Sequence, residues 1–299
     1  MVSTPLALGA LSLRVLMLGY ERIVTKELTQ DRTSLGAAFL FFAIGTVLWL
    51  PALLWTGLPE PQVLLYAGGA SFVYALAFIL YVGALARSEA SIVGPLYHTS
   101  ILFVILLAFL VLGEEVTWFR VLGGVLLVYG ATLLRMRGSP LAIVSSARAL
   151  LADRGAVMMI AGSFLLGAGR IVDSWIVTSF ASDVALGEVA PTAGYAIVQN
   201  LFIAAWMFLL LVATGRLGAT VDLVRERKRP ALVAGFINLT SYLFLLLAFT
   251  GLDASVAEPA SSLSMLVTVG LGGWLFGEPW RERLPGAAVM VAGAWLLFL

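Results

Sequence analysis

The sequence predicts an all-α integral membrane protein, with ten transmembrane helices in two inverted five-helix repeats. Three observations predict it. First, 61% of residues are hydrophobic and 12% charged, with a mean hydropathy of +1.02. A soluble domain carries about 25% charged residues, so this chain lacks the polar surface needed to face water. Second, apolar stretches of about 20 residues, the length that crosses a bilayer, recur from end to end. Third, the second half repeats the first. A shift of 164 positions lays 71–114 onto 235–278 without a gap. Phe72 then meets Phe236, Ala84 meets Ala248 and Ala90-Ser91 meets Ala254-Ser255. Pro95 falls on Pro259, Ser100 on Ser264 and Gly113-Glu114 on Gly277-Glu278. These are punctuation residues, which a shared backbone preserves.

The spans follow in order. Span 1 covers 5–24, and span 2, at 35–56, stops at Gly57–Gln62. Span 3 (63–86) ends at Arg87–Ala90, and span 4 (91–112) at Gly113–Val116. Span 5 (117–136) runs into the linker Arg137–Gly155, which separates the repeats 1–136 and 156–299. Span 6 covers 156–179, and span 7 (190–213) precedes a second linker, Gly215–Pro230. Span 8 (231–250) stops at Gly251–Ala254, followed by spans 9 (255–276) and 10 (284–299). In lipid the backbone must satisfy its own hydrogen bonds, so these stretches mean helices. Met1–Ala10 lacks the basic start of a signal peptide and its apolar run continues past Leu18, so it reads as the first span.

Basic residues crowd the connections after odd-numbered spans, among them Lys26, Arg87, Arg137, Arg227, Lys228 and Arg283, whereas the other side holds Arg120. The positive-inside rule then places both termini outside. A net charge of +1 gives no pull toward nucleic acid, and the absence of cysteine excludes disulfides and thiolate chemistry.

At this point the punctuation carries a family likeness. Each half shows Ala-Ser-x-x-x-Pro, an apolar helix, Gly-Glu and a Gly-rich last helix. The first copy reads Ala90-Ser91, Pro95, Gly113-Glu114, Gly123-Gly124 and Gly130. Its second copy reads Ala254-Ser255, Pro259, Gly277-Glu278, Gly286 and Gly293. The pattern resembles the drug/metabolite transporter superfamily in its two-EamA-domain branch. The resemblance implies a multi-pass secondary transporter of the cytoplasmic (inner) membrane, with a cavity lined by spans 1, 3, 4, 6, 8 and 9. It implies a small-molecule substrate and a membrane-lipid environment. The expectations are a proton as candidate coupling ion, a monomer or homodimer, and no cofactor, metal or catalytic residue. Well-known ten-helix members keep their termini cytoplasmic, opposite to the charge bias here.

Ionisable residues inside a span cost several kcal/mol unless paired or hydrated, so each is a candidate for function. Arg14 and Arg22 lie in span 1 and Arg170 in span 6, the spans that open the two repeats. Arg170 and Asp173, at i and i+3, share a helix face. Either they form an internal ion pair, or Arg170 forks onto a substrate carboxylate or phosphate. Glu258, just before Pro259, has Gly94 as its repeat partner, so the shared pattern does not demand an acid there. Tyr74 and Phe78 belong to a stripe with Ser71 and Tyr81, and Asn238 and Tyr242 match them in span 8. Tyr97 and Ser262 add hydroxyls. The expected substrate site is therefore Arg14, Tyr74, Phe78, Tyr97, Arg170, Asn238, Tyr242, Glu258 and Ser262. Candidate proton carriers are Glu258, His98, Asp173 and Glu21. Gln199 and Asn200 read as interhelical glue, and Glu114 and Glu278 as structural boundary residues. Gly68-Gly69, Gly123-Gly124, Gly162 and Gly167 read as points of close helix contact.

Mixed cations, acids and rings suit a small polar or zwitterionic, amino-acid-like solute moved by alternating access. A flippase for a lipid-linked phosphate, or a transporter of amines or drugs, is the alternative. An intramembrane enzyme finds no nucleophile or acid at recognisable spacing around His98, and nothing in the sequence excludes a non-transporting scaffold.

Overall fold

The computed structural model describes residues 4–29, 34–85, 87, 96–135, 153–180, 189–276 and 283–299. Ala90-Ser91, Pro95, Gly277-Glu278, Arg32, Arg281 and 137–152 of the first linker lie outside these, as do the side chains of Arg22, Lys26 and Arg135. Among the described residues the chain is all-α. The helices are α1 (Thr4–Thr29), α2 (Ser34–Trp49), α3 (Pro61–Leu85), α4 (Ser100–Leu107) and α5 (Trp118–Arg135). After them come α6 (Arg154–Phe180), α7 (Val189–Ala213), α8 (Lys228–Phe249), α9a (Ala254–Ser261), α9b (Ser264–Phe276) and α10 (Leu284–Leu296). Six stretches are long and apolar enough to cross a membrane: Leu35–Thr56, Pro61–Tyr81, Arg154–Phe180, Val189–Ala213, Lys228–Phe249 and Ala254–Leu275. Shorter apolar helices occupy Ser100–Leu112, Trp118–Leu133 and Leu284–Leu296.

Two segments related by the 164-residue shift share a local backbone feature. Both copies tighten from α-helical to three-residue hydrogen bonding at equivalent places. In the first, Thr99 N–H donates to Leu96 O and Ile101 N–H to His98 O, each at 3.1 Å. In the second, Ser262 N–H donates to Pro259 O at 3.0 Å and Met265 N–H to Ser262 O at 2.9 Å. The 164-residue shift carries His98 onto Ser262. Pro259, inside α9a, has no N–H to give to the preceding turn, and the tightened turns come just after it. At the far end of the first copy, Gly113 stands at φ +68°, a left-handed conformation that glycine adopts without strain.

Packing divides the chain into two compact units, each drawing helices from both sequence halves: Met1–Ala75 with Val172–Leu252, and Leu76–Ile171 with Asp253–Leu299. In the first unit α1 runs along α8, and α2 packs on α7 and α8. The close crossing of α2 and α8 is made by Gly45 and Gly235: a Cβ on Gly45 would lie 2.6 Å from Gly235 O. In the second unit α5 packs along α10, and α9a along α4. A Cβ on Gly123 would lie 2.6 Å from Gly293 O, and one on Gly293 would lie 2.8 Å from Gly123 O.

One expectation is corrected. Around Gly68 and Gly69 nothing lies within 4 Å of an added Cβ, so they make no close helix contact among the described residues. The second linker contains a helix, Leu217–Glu226. Its sequence puts Thr220 and Leu223 on one face, both buried, and exposes Asp222, Arg225 and Glu226 on the other. Leu223 joins a core with Val24, Ala37, Leu40, Ala231 and Ala234. One buried leucine beside a buried threonine is too little to read as a span, but enough to dock an amphipathic helix.

The boundary reading of Glu114 acquires a mechanism. Its Oε1 accepts from Ala254 N–H at 2.8 Å and its Oε2 from Ser255 N–H at 3.0 Å. A carboxylate here satisfies the orphan donors at the start of α9a and sits favourably on the helix dipole. Beside it, Arg120 Nη1 contacts Asp253 Oδ2 at 2.7 Å, which gives this arginine a structural partner.

Candidate functional site

In the second unit, α6 and α9a bring two expected residues together. Arg170 Nε stands 3.3 Å from Glu258 Oε1, and the two side chains are 18% and 22% exposed. Each is shielded enough for its charge to matter and open enough for a small solute to reach. One turn beyond Glu258, the Ser262 hydroxyl is buried, and Ser264 lies deeper still. Glu258 Oε2, Ser262 Oγ and Ser264 Oγ accept or donate no hydrogen bond within the described residues. Ser261 differs, because its hydroxyl donates to Ala257 O at 3.0 Å. The same unit holds a string of rings: Phe78 to Tyr81 (6.5 Å between centroids), Tyr81 to Tyr97 (5.6 Å) and Tyr97 to His98 (5.5 Å). All three contacts are edge-on, the arrangement that ring quadrupoles favour. Ser163 of α6 lies within 3.2 Å of the carbonyls of both Leu96 and Tyr97, which holds this end of the first repeat against α6.

The first unit contains a different polar cluster, centred on Asp173, whose side chain is fully buried. Tyr74 of α3 donates to Oδ2 at 2.5 Å, and Tyr242 of α8 to the same oxygen at 2.7 Å. Tyr195 of α7 donates to Oδ1 at 2.7 Å, and Gln199 Nε2 to Oδ1 at 2.6 Å. The Tyr242 hydroxyl also lies against Gln199 Oε1. Three helices therefore converge on one carboxyl group. Tyr195 and Gln199 sit at i and i+4 on α7, one face of the helix.

Other expected residues make contacts of their own within the first unit. Arg14 is buried, with Nη1 2.6 Å from Ser241 Oγ. Asn238 Nδ2 reaches Glu21 Oε1 at 3.5 Å, so the α1 acid and the α8 amide meet. Asn200 ties α7 to α2 by donating to Phe42 O at 2.9 Å, as expected of interhelical glue. Sequence reasoning brought Tyr74, Asp173 and Tyr242 forward separately and passed over Tyr195. The available signal was its spacing to Gln199 on an otherwise apolar helix. Ser241 carried no signal at all, since it sits beside the residue that the stripe selects.

Comparison with known proteins agrees with this architecture. Residues 6–136 match the model of the EamA-like transporter family. Among curated proteins none matches the sequence. A solved crystal structure is similar at a TM-score of 0.68 and 16% identity, covering 98% of this chain and 96% of that one. That likeness shows the fold.

Proposed function

We propose, from the match of residues 6–136 to the model of the EamA-like transporter family, that the whole chain is a two-repeat secondary transporter. Its solute is a small zwitterion of amino-acid type, moved by alternating access across the cytoplasmic membrane. The observation that carries the reading is the Arg170–Glu258 pair. A buried charge is costly when left alone, so a solute that enters must keep both partners compensated. A zwitterion does this. Its carboxylate takes the guanidinium, its ammonium takes Glu258, and one internal pair is exchanged for two intermolecular ones. An amine lacking a carboxylate would strand Arg170, and a phosphate headgroup would strand Glu258. The hydroxyls of Ser262 and Ser264 supply further polar contacts, and Tyr97 and Phe78 supply rings for a side chain.

The test is uptake of labelled solutes into proteoliposomes, comparing an amino-acid pool with the matching decarboxylated amines and deaminated acids. Uptake of the zwitterions, with loss of either charged group weakening it by about tenfold or more, is the expected result. Preferential uptake of amines or of phosphate-bearing lipids would overturn the zwitterion reading. The positive-inside rule applied to the basic loops supports a topology with the helix Leu217–Glu226 on the cytoplasmic side and both termini outside. Because the chain has no cysteine, an impermeant thiol reagent on intact cells should label Thr4→Cys and spare Arg225→Cys, and the reverse pattern would invert the topology.

A further inference from the structure

We infer that the helix Leu217–Glu226 is a lipid-binding element: it lies in the membrane interface and holds anionic phospholipid headgroups against Arg216, Arg225, Lys228 and Arg229. The inference is independent of which solute is carried. It starts from where the chain must put this helix. The span α7 ends at Ala213, and Gly215, at φ +65°, turns the chain back. Arg216 N–H donates to Leu211 O at 3.0 Å and Gly215 N–H to Val212 O at 3.1 Å, which closes the end of α7. The short helix begins at Leu217, and α8 begins at Lys228, just after it ends. The stretches on either side, Val189–Ala213 and Lys228–Phe249, are both long and apolar enough to cross a membrane. A helix tied so closely to two spans stays at the bilayer surface. Its inner side is held against α2, where a Cβ on Gly36 would lie 2.7 Å from Thr220 Oγ1.

The order of side chains around its axis matches the order of layers in a bilayer. Thr220, Leu223 and Val224 pack on the bundle. Beside that strip come half-buried Leu217 and then Val221, which is 42% exposed. Arg225 follows, and Asp222 and Glu226 stand beyond it. Apolar edge, cation and acids is the order met on passing from acyl chains through the headgroups to water. Arg216 before the helix, and Lys228 and Arg229 after it, are exposed as well. Residues 216–229 carry five basic and two acidic residues, and both acids lie on the side away from the apolar edge. A basic cluster beside a span draws anionic lipid, whose phosphate accepts from guanidinium and ammonium groups. A zwitterionic headgroup brings its own ammonium against the same cations and gains less. A soluble acidic partner would meet Arg225 across Asp222 and Glu226 and would leave Val221 in water, so charge and apolar edge together select the lipid.

Because the chain has no cysteine, single nitroxide labels test the placement. Val221→Cys and Glu226→Cys are labelled in the full chain and reconstituted in bilayers of mixed phosphatidylglycerol and phosphatidylcholine. The label at 221 is expected to collide more with dissolved oxygen than with a water-soluble nickel chelate, and the label at 226 the reverse. Preference for the nickel chelate at both positions would put the helix in water, open to a soluble partner, and would overturn the inference. Headgroup choice is read by native mass spectrometry of the full chain with equal amounts of the two lipids. The most tightly retained lipid on wild type is expected to be phosphatidylglycerol. Arg225→Gln is expected to lower that preference by about fivefold, and Arg225→Gln with Arg216→Gln by about tenfold or more. Arg225→Lys should keep it. Equal retention of the two lipids by wild type, or an unchanged preference in the glutamine variants, would overturn the inference. All the substituted side chains are exposed, so an unfolding midpoint equal to wild type in phosphatidylcholine separates a lost lipid site from a lost fold. None of these readings measures flux, so they decide the lipid site whether or not the zwitterion is the solute.

Discussion

Arg170→Ala is expected to lower the apparent affinity for the transported solute by roughly 10- to 100-fold while leaving a folded protein. The size follows from the loss of a charge-assisted hydrogen bond, worth about 1.5–3 kcal/mol. The substitution has a second consequence, because it leaves Glu258 beside α6 without its cation. Glu258→Gln in the same chain should therefore restore part of any lost thermal stability without restoring uptake. A double-mutant cycle separates the two effects: coupling between Arg170 and Glu258 in stability, and no rescue in flux. Arg170→Lys keeps the charge but loses the planar fork, and should lie between wild type and alanine. Uptake by Arg170→Ala with wild-type affinity would make the ion pair a structural clamp and remove the basis of the zwitterion reading.

The second large effect concerns the glycine crossings. At Gly123 an added Cβ would meet Gly293 O at 2.6 Å and Leu296 Cβ at 3.2 Å, and a main-chain carbonyl cannot rotate aside as a side chain can. Gly123→Ala and Gly293→Ala must push α5 and α10 apart along their shared seam, at a cost of about 1–3 kcal/mol, and valine at either position should prevent folding. Gly68→Ala is the counterpart. Nothing lies within 4 Å of its added Cβ, and alanine is the better helix former by about 1 kcal/mol. Unfolding midpoints in detergent should therefore move down for the seam glycines and stay level or rise for Gly68. Movement of all three in one direction would show that helix propensity, and not backbone approach, governs these positions.

These glycines also show where reading the chain stops. Gly68-Gly69 and Gly123-Gly124 look alike in sequence, each a pair inside an apolar helix, yet only the second pair lies against a neighbour. Gly45 and Gly235, which set the α2–α8 crossing, are not part of a glycine pair and advertise nothing. The same division runs through the charged residues. The cost of an ion in lipid made Arg170 and Glu258 candidates before any geometry was known, but Asp173 was an equally eligible partner for Arg170 by spacing. In the fold the carboxyl oxygens of Asp173 are taken up by Tyr74, Tyr195, Tyr242 and Gln199, and Arg170 contacts Glu258. The helix Leu217–Glu226 was missed because its buried face is only Thr220 and Leu223, below what hydropathy resolves.

By itself the sequence determined the all-α membrane class and the apolar stretches that form its helices. Those properties depend on how apolar each stretch is and where proline and glycine interrupt it, and both are read one residue after another. Tertiary structure alone decided which polar groups meet. Tyr74 lies 99 residues from Asp173 and Tyr242 lies 69 away. Their convergence is set by how far each helix turns about its axis and where it crosses its neighbours, which local composition does not encode.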